Sequence, residues 1–261
     1  NMDGYASAKA RIFARQQSGD LGVLGWDDAL SMRMAGAVRS RLVPISGLHA
    51  AAGGIWAEAG TLRDEAGAIA DLRAAPALPG SHNAQNAAAA AAVALDAGLT
   101  RQQVAAGLAS FPGLPHRQER VGELGGVTFV NDSKATNADS AARALGSYDR
   151  VVWIAGGLAK DGGIESLEAL FPRIARALLI GRDAPLLAAT LAAHGIPHEI
   201  AGTLDEAVPA AAAFARAASV PVVLLSPACA SFDQFSGFDA RGERFRALVQ
   251  GLISDDPGRA G

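Results

Sequence analysis

Residues 120–132 read RVGELGGVTFVND, and this stretch decides the fold. Two strand-like runs flank Gly125-Gly126, the mark of a β-hairpin. Working outward, residues 151–155, 178–180 and 222–225 are short, fully apolar runs separated by helical segments. Such alternation predicts an α/β fold with a mostly parallel, Rossmann-like sheet and helices on both faces. Right-handed crossovers would bring the strand-following loops to one rim, where open α/β sheets bind ligands. Those loops are NDSKATN (131–137), GGLAKDGG (156–163), GRD (181–183) and SPACASFDQF (226–235).

Upstream the pattern is less regular. Residues 5–16 read as a helix and 21–24 as a short strand, and Asp27 is placed to cap a second helix. Residues 41–45 and 55–58 look like strands, with Gly53-Gly54 marking a turn between them. Ser81 is placed to cap a long helix that Gly98 closes, and Thr100 with Gln103 makes a capping box for the next. The helix-stopping run FPGLP at 111–115 marks a domain boundary, giving domains 1–113 and 114–261 and a possible hinge between them.

Composition excludes several classes. The chain has 261 residues, half of them apolar, and a net charge of −3, so neither nucleic acid nor an anionic membrane has a basic footprint to bind. No apolar run approaches the length of a membrane span. Cys229 is the single cysteine, which excludes an internal disulfide and suits a reducing cytoplasm. The five histidines show no metal-ligand spacing, which argues against zinc. The chain opens on an amphipathic pattern with no leader, so a missing upstream segment is expected.

Each candidate site residue carries two readings. Lys9 falls within the stripe of Tyr5, Ile12 and Phe13, either snorkelling to water or partnering a phosphate or metal. Asn83 and Asn86 sit one turn apart and could read a base or sugar, or simply decorate a helix N-terminus. Arg117, after His116, could hold a phosphate or pair with a surface carboxylate. Lys160 follows Gly156-Gly157, glycines that would let backbone approach a ligand, yet exposed lysines are common. Cys229 reads as a small buried filler more than a nucleophile. The small residues around it suggest either backbone amides open to an anion or tight packing.

GLPHR, NDSKATN, AGGLAKDGG and SPACASFDQF occur in the same order as in the Mur ligases. The chain resembles the D-glutamate-adding members of that family over residues 5–252. The resemblance implies an ATP- and Mg²⁺-dependent amide ligase that joins D-glutamate to UDP-N-acetylmuramoyl-L-alanine through an acyl phosphate. It implies that Asn83, Asn86, His116, Arg117 and Asp132 bind the nucleotide. It places D-glutamate against Lys134, Thr136, Lys160, Ser231 and the backbone of Phe238, with Lys134 also catalytic. Lys9 matches a lysine that the family carbamylates to hold Mg²⁺, which would explain a cation inside an apolar stripe. No G-x-x-x-x-G-K-[ST] loop occurs in the chain, so ligation by this chain alone is not expected. Gly25 departs from the family's usual asparagine. The competing readings are a non-catalytic nucleotide or amino-acid binding module and a folylpolyglutamate synthetase-like ligase.

Overall fold

A computed structural model describes residues 2–256. The chain divides into two compact units, Asn1–Pro112 and Gly113–Gly261.

The first unit contains α1 (Met2–Ala10), β1 (Leu21–Gly25), α2 (Ala29–Arg33), β2 (Arg41–Ser46), β3 (Ile55–Glu58), β4 (Thr61–Asp64), β5 (Gly67–Asp71), α3 (Ser81–Asp96) and α4 (Arg101–Ser110). Its strands form one sheet in sequence order, with β1, β2 and β3 parallel and β4 and β5 antiparallel. The alanine-rich α3 lies on this sheet, burying Ala84, Ala87, Ala88, Ala91 and Ala92. Small side chains let the helix axis approach Ile45, Ile55 and Leu62 closely, which is what the alanine bias achieves.

Several local expectations need correction here. The helix expected over 5–16 is α1 followed by a 3₁₀ turn, Arg11–Phe13. The apolar stripe is not buried: Tyr5 is 58% and Ile12 77% exposed, leaving only Phe13 inside. Lys9 is therefore exposed rather than set within a buried stripe, its Nζ 5.4 Å from the Tyr5 ring. Asp28, not Asp27, caps α2 by accepting from the Ser31 amide at 2.8 Å. Asp27 instead joins β1 to β2 and α3, accepting from Ser46 Oγ (2.5 Å), the Gly47 amide (2.8 Å) and Gln85 Nε2 (2.7 Å). Gly80, at φ +83°, is the N-cap of α3, and Ser81 is already helical. The Thr100–Gln103 capping box is present in full.

The second unit contains β6 (Glu119–Leu124), β7 (Val127–Asn131), α5 (Ala138–Leu145), β8 (Val151–Gly156), β9 (Ile174–Ile180), α6 (Ala184–Ala193), β10 (His198–Gly202), α7 (Leu204–Ala217), β11 (Val222–Leu225) and α8 (Phe238–Ser254). The sheet order is β10-β9-β8-β11-β7-β6, parallel except for β6. Gly125 and Gly126, at φ +57° and +78°, make the turn that pairs β6 with β7, as the hairpin reading requires. Alternation splits each central strand between two cores. Trp153, Leu179 and Leu224 pack with α5 and α6, while Ile154, Leu178 and Leu225 pack with α7 and α8. Between β8 and β9 the chain forms a 3₁₀ segment, Glu165–Arg173, rather than an α-helix, with Pro172 near its end. No helix among the described residues is long and apolar enough to cross a membrane.

Candidate functional site

Parallel pairing of β7, β11, β8 and β9 carries the four polar loops to one rim of the second unit. The loops are fastened to one another. Leu158 and Ala230 exchange backbone hydrogen bonds of 2.8 and 2.9 Å, joining the loops after β8 and β11. Asp183 accepts from the Ala159 amide at 2.9 Å, and Asp233 accepts from the Arg182 amide at 2.8 Å. The Arg182 guanidinium beside Asp183 holds that carboxyl below its ordinary range. Gly156 and Gly157 are close-approach glycines, but what they approach is protein. A Cβ at Gly156 would lie 2.0 Å from the Ile180 carbonyl oxygen, and one at Gly157 would lie 2.2 Å from that of Ala230. These contacts account for both glycines within the fold itself.

The NDSKATN turn divides its polar groups between the fold and the rim. Asn131, Asp132 and Ser133 are buried. Asn131 Nδ2 donates to Glu119 Oε2 (3.2 Å) and the Gly242 carbonyl (3.1 Å) and lies 3.0 Å from His116 Nδ1. His116 is itself buried, at φ +61°, and its carbonyl accepts from the Lys134 amide at 3.0 Å. Asp132 accepts from Ser226 Oγ (2.7 Å) and the Gln118 amide (3.2 Å). Desolvation pushes its carboxyl up to about 7, against the pull of Ser226, the Gln118 amide and the nearby Arg117 charge. Asn137 caps α5 through the Ser140 amide at 2.8 Å.

Lys134 lies on the rim side of this turn, its Nζ 3.8 Å from the centre of the Phe238 ring. That is a cation–π contact at short range. Neither Lys134 nor Lys160 pairs with a carboxylate among the described residues, and Lys160 is exposed. Thr136 is half-buried, and its amide donates to the Lys134 carbonyl at 2.8 Å. Ser231 is buried, its carbonyl accepting from the Phe235 amide at 2.9 Å. Arg117 is exposed. Burial pushes the Cys229 thiol up to about 12, so at neutral pH it is a packed thiol rather than a nucleophile. The structure thus joins Asp132 to Ser226 and Lys134 to Phe238 across neighbouring loops of the rim.

One residue of this rim escaped sequence reasoning. Arg241, on α8, is 1% exposed and lies beneath the loops after β7, β8 and β11. Its signal was its spacing, because Arg241, Phe245, Val249 and Ile253 fall four residues apart on the buried face of α8.

In the first unit, Asn83 and Asn86 stand near the start of α3. Asn83 Nδ2 donates to the Pro79 carbonyl (2.8 Å), and Asn86 Nδ2 donates to Asn83 Oδ1 (3.3 Å). Asn86 is exposed and Asn83 half-buried, so both readings given for the pair keep their geometry. Among the described residues, no group of three or more His, Cys, Asp or Glu is assembled to hold a metal ion. Lys9, even as a carbamate, would bring one ligand to a shell that these residues do not complete. At Gly25, a Cβ would lie 3.3 Å from Gln85 Nε2, pressing on the amide that holds Asp27.

Comparison with known proteins accounts for both units. Residues 1–94 match the Mur ligase middle domain, and residues 116–229 match the Mur ligase glutamate ligase domain. The chain belongs to the Mur ligase family. Within it, the chain is similar to UDP-N-acetylmuramoylalanine–D-glutamate ligase of Caulobacter vibrioides, 51% identical over 97% of this chain and 55% of the relative. The chain thus spans about half the length of the curated relatives it matches. Among solved structures, UDP-N-acetylmuramate-alanine ligase from Thermotoga maritima superposes with a TM-score of 0.65 at 16% identity, covering 98% of this chain and 56% of that one. A folylpolyglutamate synthase from the same organism gives 0.60 at 15% identity, covering 96% and 58%. Likeness at that identity concerns the fold alone, so it lends the folylpolyglutamate reading no chemistry.

Proposed function

We propose that this chain is the middle and C-terminal part of a cytoplasmic ligase that adds D-glutamate to UDP-N-acetylmuramoyl-L-alanine in peptidoglycan precursor synthesis. The observation that carries this reading is half identity to D-glutamate ligases along nearly the whole chain. In this reading, residues 1–113 belong to the ATP-binding domain and 114–261 form the domain that binds D-glutamate. ATP transfers its γ-phosphoryl group to the substrate carboxylate, making an acyl phosphate. The amine of D-glutamate attacks the acyl carbon and loses a proton, and inorganic phosphate leaves.

The rim supports the acceptor assignment. D-glutamate carries two carboxylates, and Lys134 and Lys160 are two cations with no carboxylate partner among the described residues. Thr136, Ser231 and the Phe238 amide add neutral donors, and charged hydrogen bonds of this kind contribute roughly 1.5–3 kcal/mol each. Asn83 and Asn86 would face the adenine, while His116 and Arg117 would hold the nucleotide and Asp132 would accept from the ribose hydroxyls. Mg²⁺ would neutralise the crowded phosphate and carboxylate oxygens. Lys9, as a carbamate, would lend it one anionic oxygen, and the remaining ligands would come from outside this chain.

ADP release by the full-length protein, with D-glutamate, L-glutamate, meso-diaminopimelate and L-alanine offered in turn, tests the reading. Turnover should require UDP-N-acetylmuramoyl-L-alanine and D-glutamate together, and residues 1–261 alone should show none. Equal turnover with another amino acid, or D-glutamate-dependent turnover by residues 1–261, would refute it.

A further inference from the structure

Arg241 is a buried cation without a carboxylate partner among the described residues. Its guanidinium is satisfied almost wholly by main chain. Nε donates to Ser133 Oγ (3.0 Å), Nη2 to the carbonyls of Ser133 (2.9 Å) and Cys229 (3.1 Å), and Nη1 to that of Gly156 (3.4 Å). These acceptors sit at the exits of β7, β11 and β8, three strands adjacent in the sheet. Ser133 Oγ passes the connection on, donating to the Phe238 carbonyl at 2.7 Å. One side chain therefore spans three strand exits and, through Ser133, the first turn of its own helix.

A buried guanidinium is costly, and burial lowers its proton affinity, bringing it down to about 10. An apolar residue of similar size would avoid that cost but leave the Ser133 and Cys229 carbonyls short of donors. What arginine adds is a rigid planar fork that sets distances between loops, which a lysine head cannot reproduce.

We infer that Arg241 is the positioning residue of the acidic amino-acid site, setting Lys134, Ser231 and Phe238 at the separations that grip both carboxylates. The inference rests on the D-glutamate reading above. It concerns one ligand selectively, because Asp132 is held by other means: the Ser226 hydroxyl, the Gln118 amide and the backbone bond from its own amide to the Leu225 carbonyl (2.7 Å). Loosening Arg241 should thus disturb the amino acid more than the nucleotide.

The test uses the full-length ligase carrying Arg241→Lys, Arg241→Met or Ser133→Ala, with KM measured separately for D-glutamate and ATP. Arg241→Lys should raise KM for D-glutamate about tenfold and Arg241→Met further, with KM for ATP moving less than about twofold. Ser133→Ala, which keeps the guanidinium and removes the hydroxyl bridge to Phe238, should shift KM for D-glutamate the same way by a smaller factor. A purely structural role would lower kcat through loss of folded enzyme and leave both KM values alone, or raise them together, and either result overturns the inference. If Arg241→Met does not fold, the other two variants decide. Ser231→Ala separates the two layers of argument. If it too leaves KM for D-glutamate at the wild-type value, the D-glutamate reading of this rim is wrong. If it raises that KM while Arg241→Lys and Ser133→Ala do not, the positioning role alone fails.

Discussion

Asp132→Asn should stabilise the second unit in a strongly pH-dependent way. The carboxyl titrates near 7 in the folded protein against 3.8 as its ordinary value, because burial opposes the charge more than Ser226, Gln118 and Arg117 favour it. A raised folded pKa means that the native state binds the proton more tightly than the unfolded chain. Its contribution to stability is complete below pH 3.8 and is lost as pH rises through 7. The shift of about 3 units corresponds to roughly 4 kcal/mol between those limits. Between pH 5 and pH 9 the loss is about 2.7 kcal/mol, since the unfolded acid is already ionised at pH 5. Asparagine keeps the shape and an acceptor for Ser226 Oγ but never charges. The advantage of Asp132→Asn over the wild type should therefore grow by about 2–3 kcal/mol from pH 5 to pH 9 and level off above. Native-state amide exchange in β11, with mutant and wild type compared at each pH, reads this unit by itself. An advantage that does not change with pH would refute the reasoning, because it would mean that the folded carboxyl titrates like an exposed one.

Two further outcomes test packing. On α8, Gly242→Ala should cost about 1–3 kcal/mol, because its Cβ would fall 2.2 Å from His116 Nδ1, whereas Gly251→Ala, with nothing within 4 Å, should gain about 0.5–1 kcal/mol. Thermal unfolding of the pair should show opposite signs, and a neutral Gly242→Ala would count against the described seat of His116. Thr100→Ala removes the hydroxyl that accepts from the Gln103 amide, leaving only the Gln103 side chain on the residue-100 amide, and should cost about 1 kcal/mol, read as faster amide exchange across α4. Unchanged protection there would mean that the box contributes nothing.

The second unit was legible because its signals are local. Two glycines with positive φ make the hairpin, and apolar runs too short for helices make strands buried on both faces. Where burial rather than period decides, the sequence was misleading. Tyr5, Lys9 and Ile12 keep helical spacing but face solvent, because periodicity describes one face and does not supply a partner for it. Strand β10, HEIAG, went unread because it is an edge strand with Glu199 and Ile200 exposed and no alternation to detect. Asp27 was read as the cap of α2, and what gives that place to Asp28 is the tertiary set of Ser46, Gly47 and Gln85 donors converging on Asp27.

Arg241 and the NDSKATN turn show a deeper limit of the same kind. The turn drew attention as a dense run of polar groups after a strand, and the natural reading is that all of them serve a ligand. The structure divides them. Asn131 and Ser133 use their side chains inside the protein, on His116, Gly242, Phe238 and Arg241. Asp132 is tied to Ser226 yet keeps an acidity near neutral pH, and Lys134 reaches past the turn to the Phe238 ring. Sequence alone cannot make this division, since deciding partners of Asn131 and Ser133, the Gly242 and Phe238 carbonyls and the Arg241 guanidinium, lie more than 100 residues away on α8. The physical criterion is hydrogen-bond accounting: a polar group whose donors and acceptors are satisfied by the fold holds the site in shape, and one left unsatisfied at the rim is available to a ligand. By that criterion Ser133 and Arg241 belong to the frame of the rim, whereas Lys134 and Lys160, with no carboxylate partner among the described residues, are the cations on which the D-glutamate proposal depends.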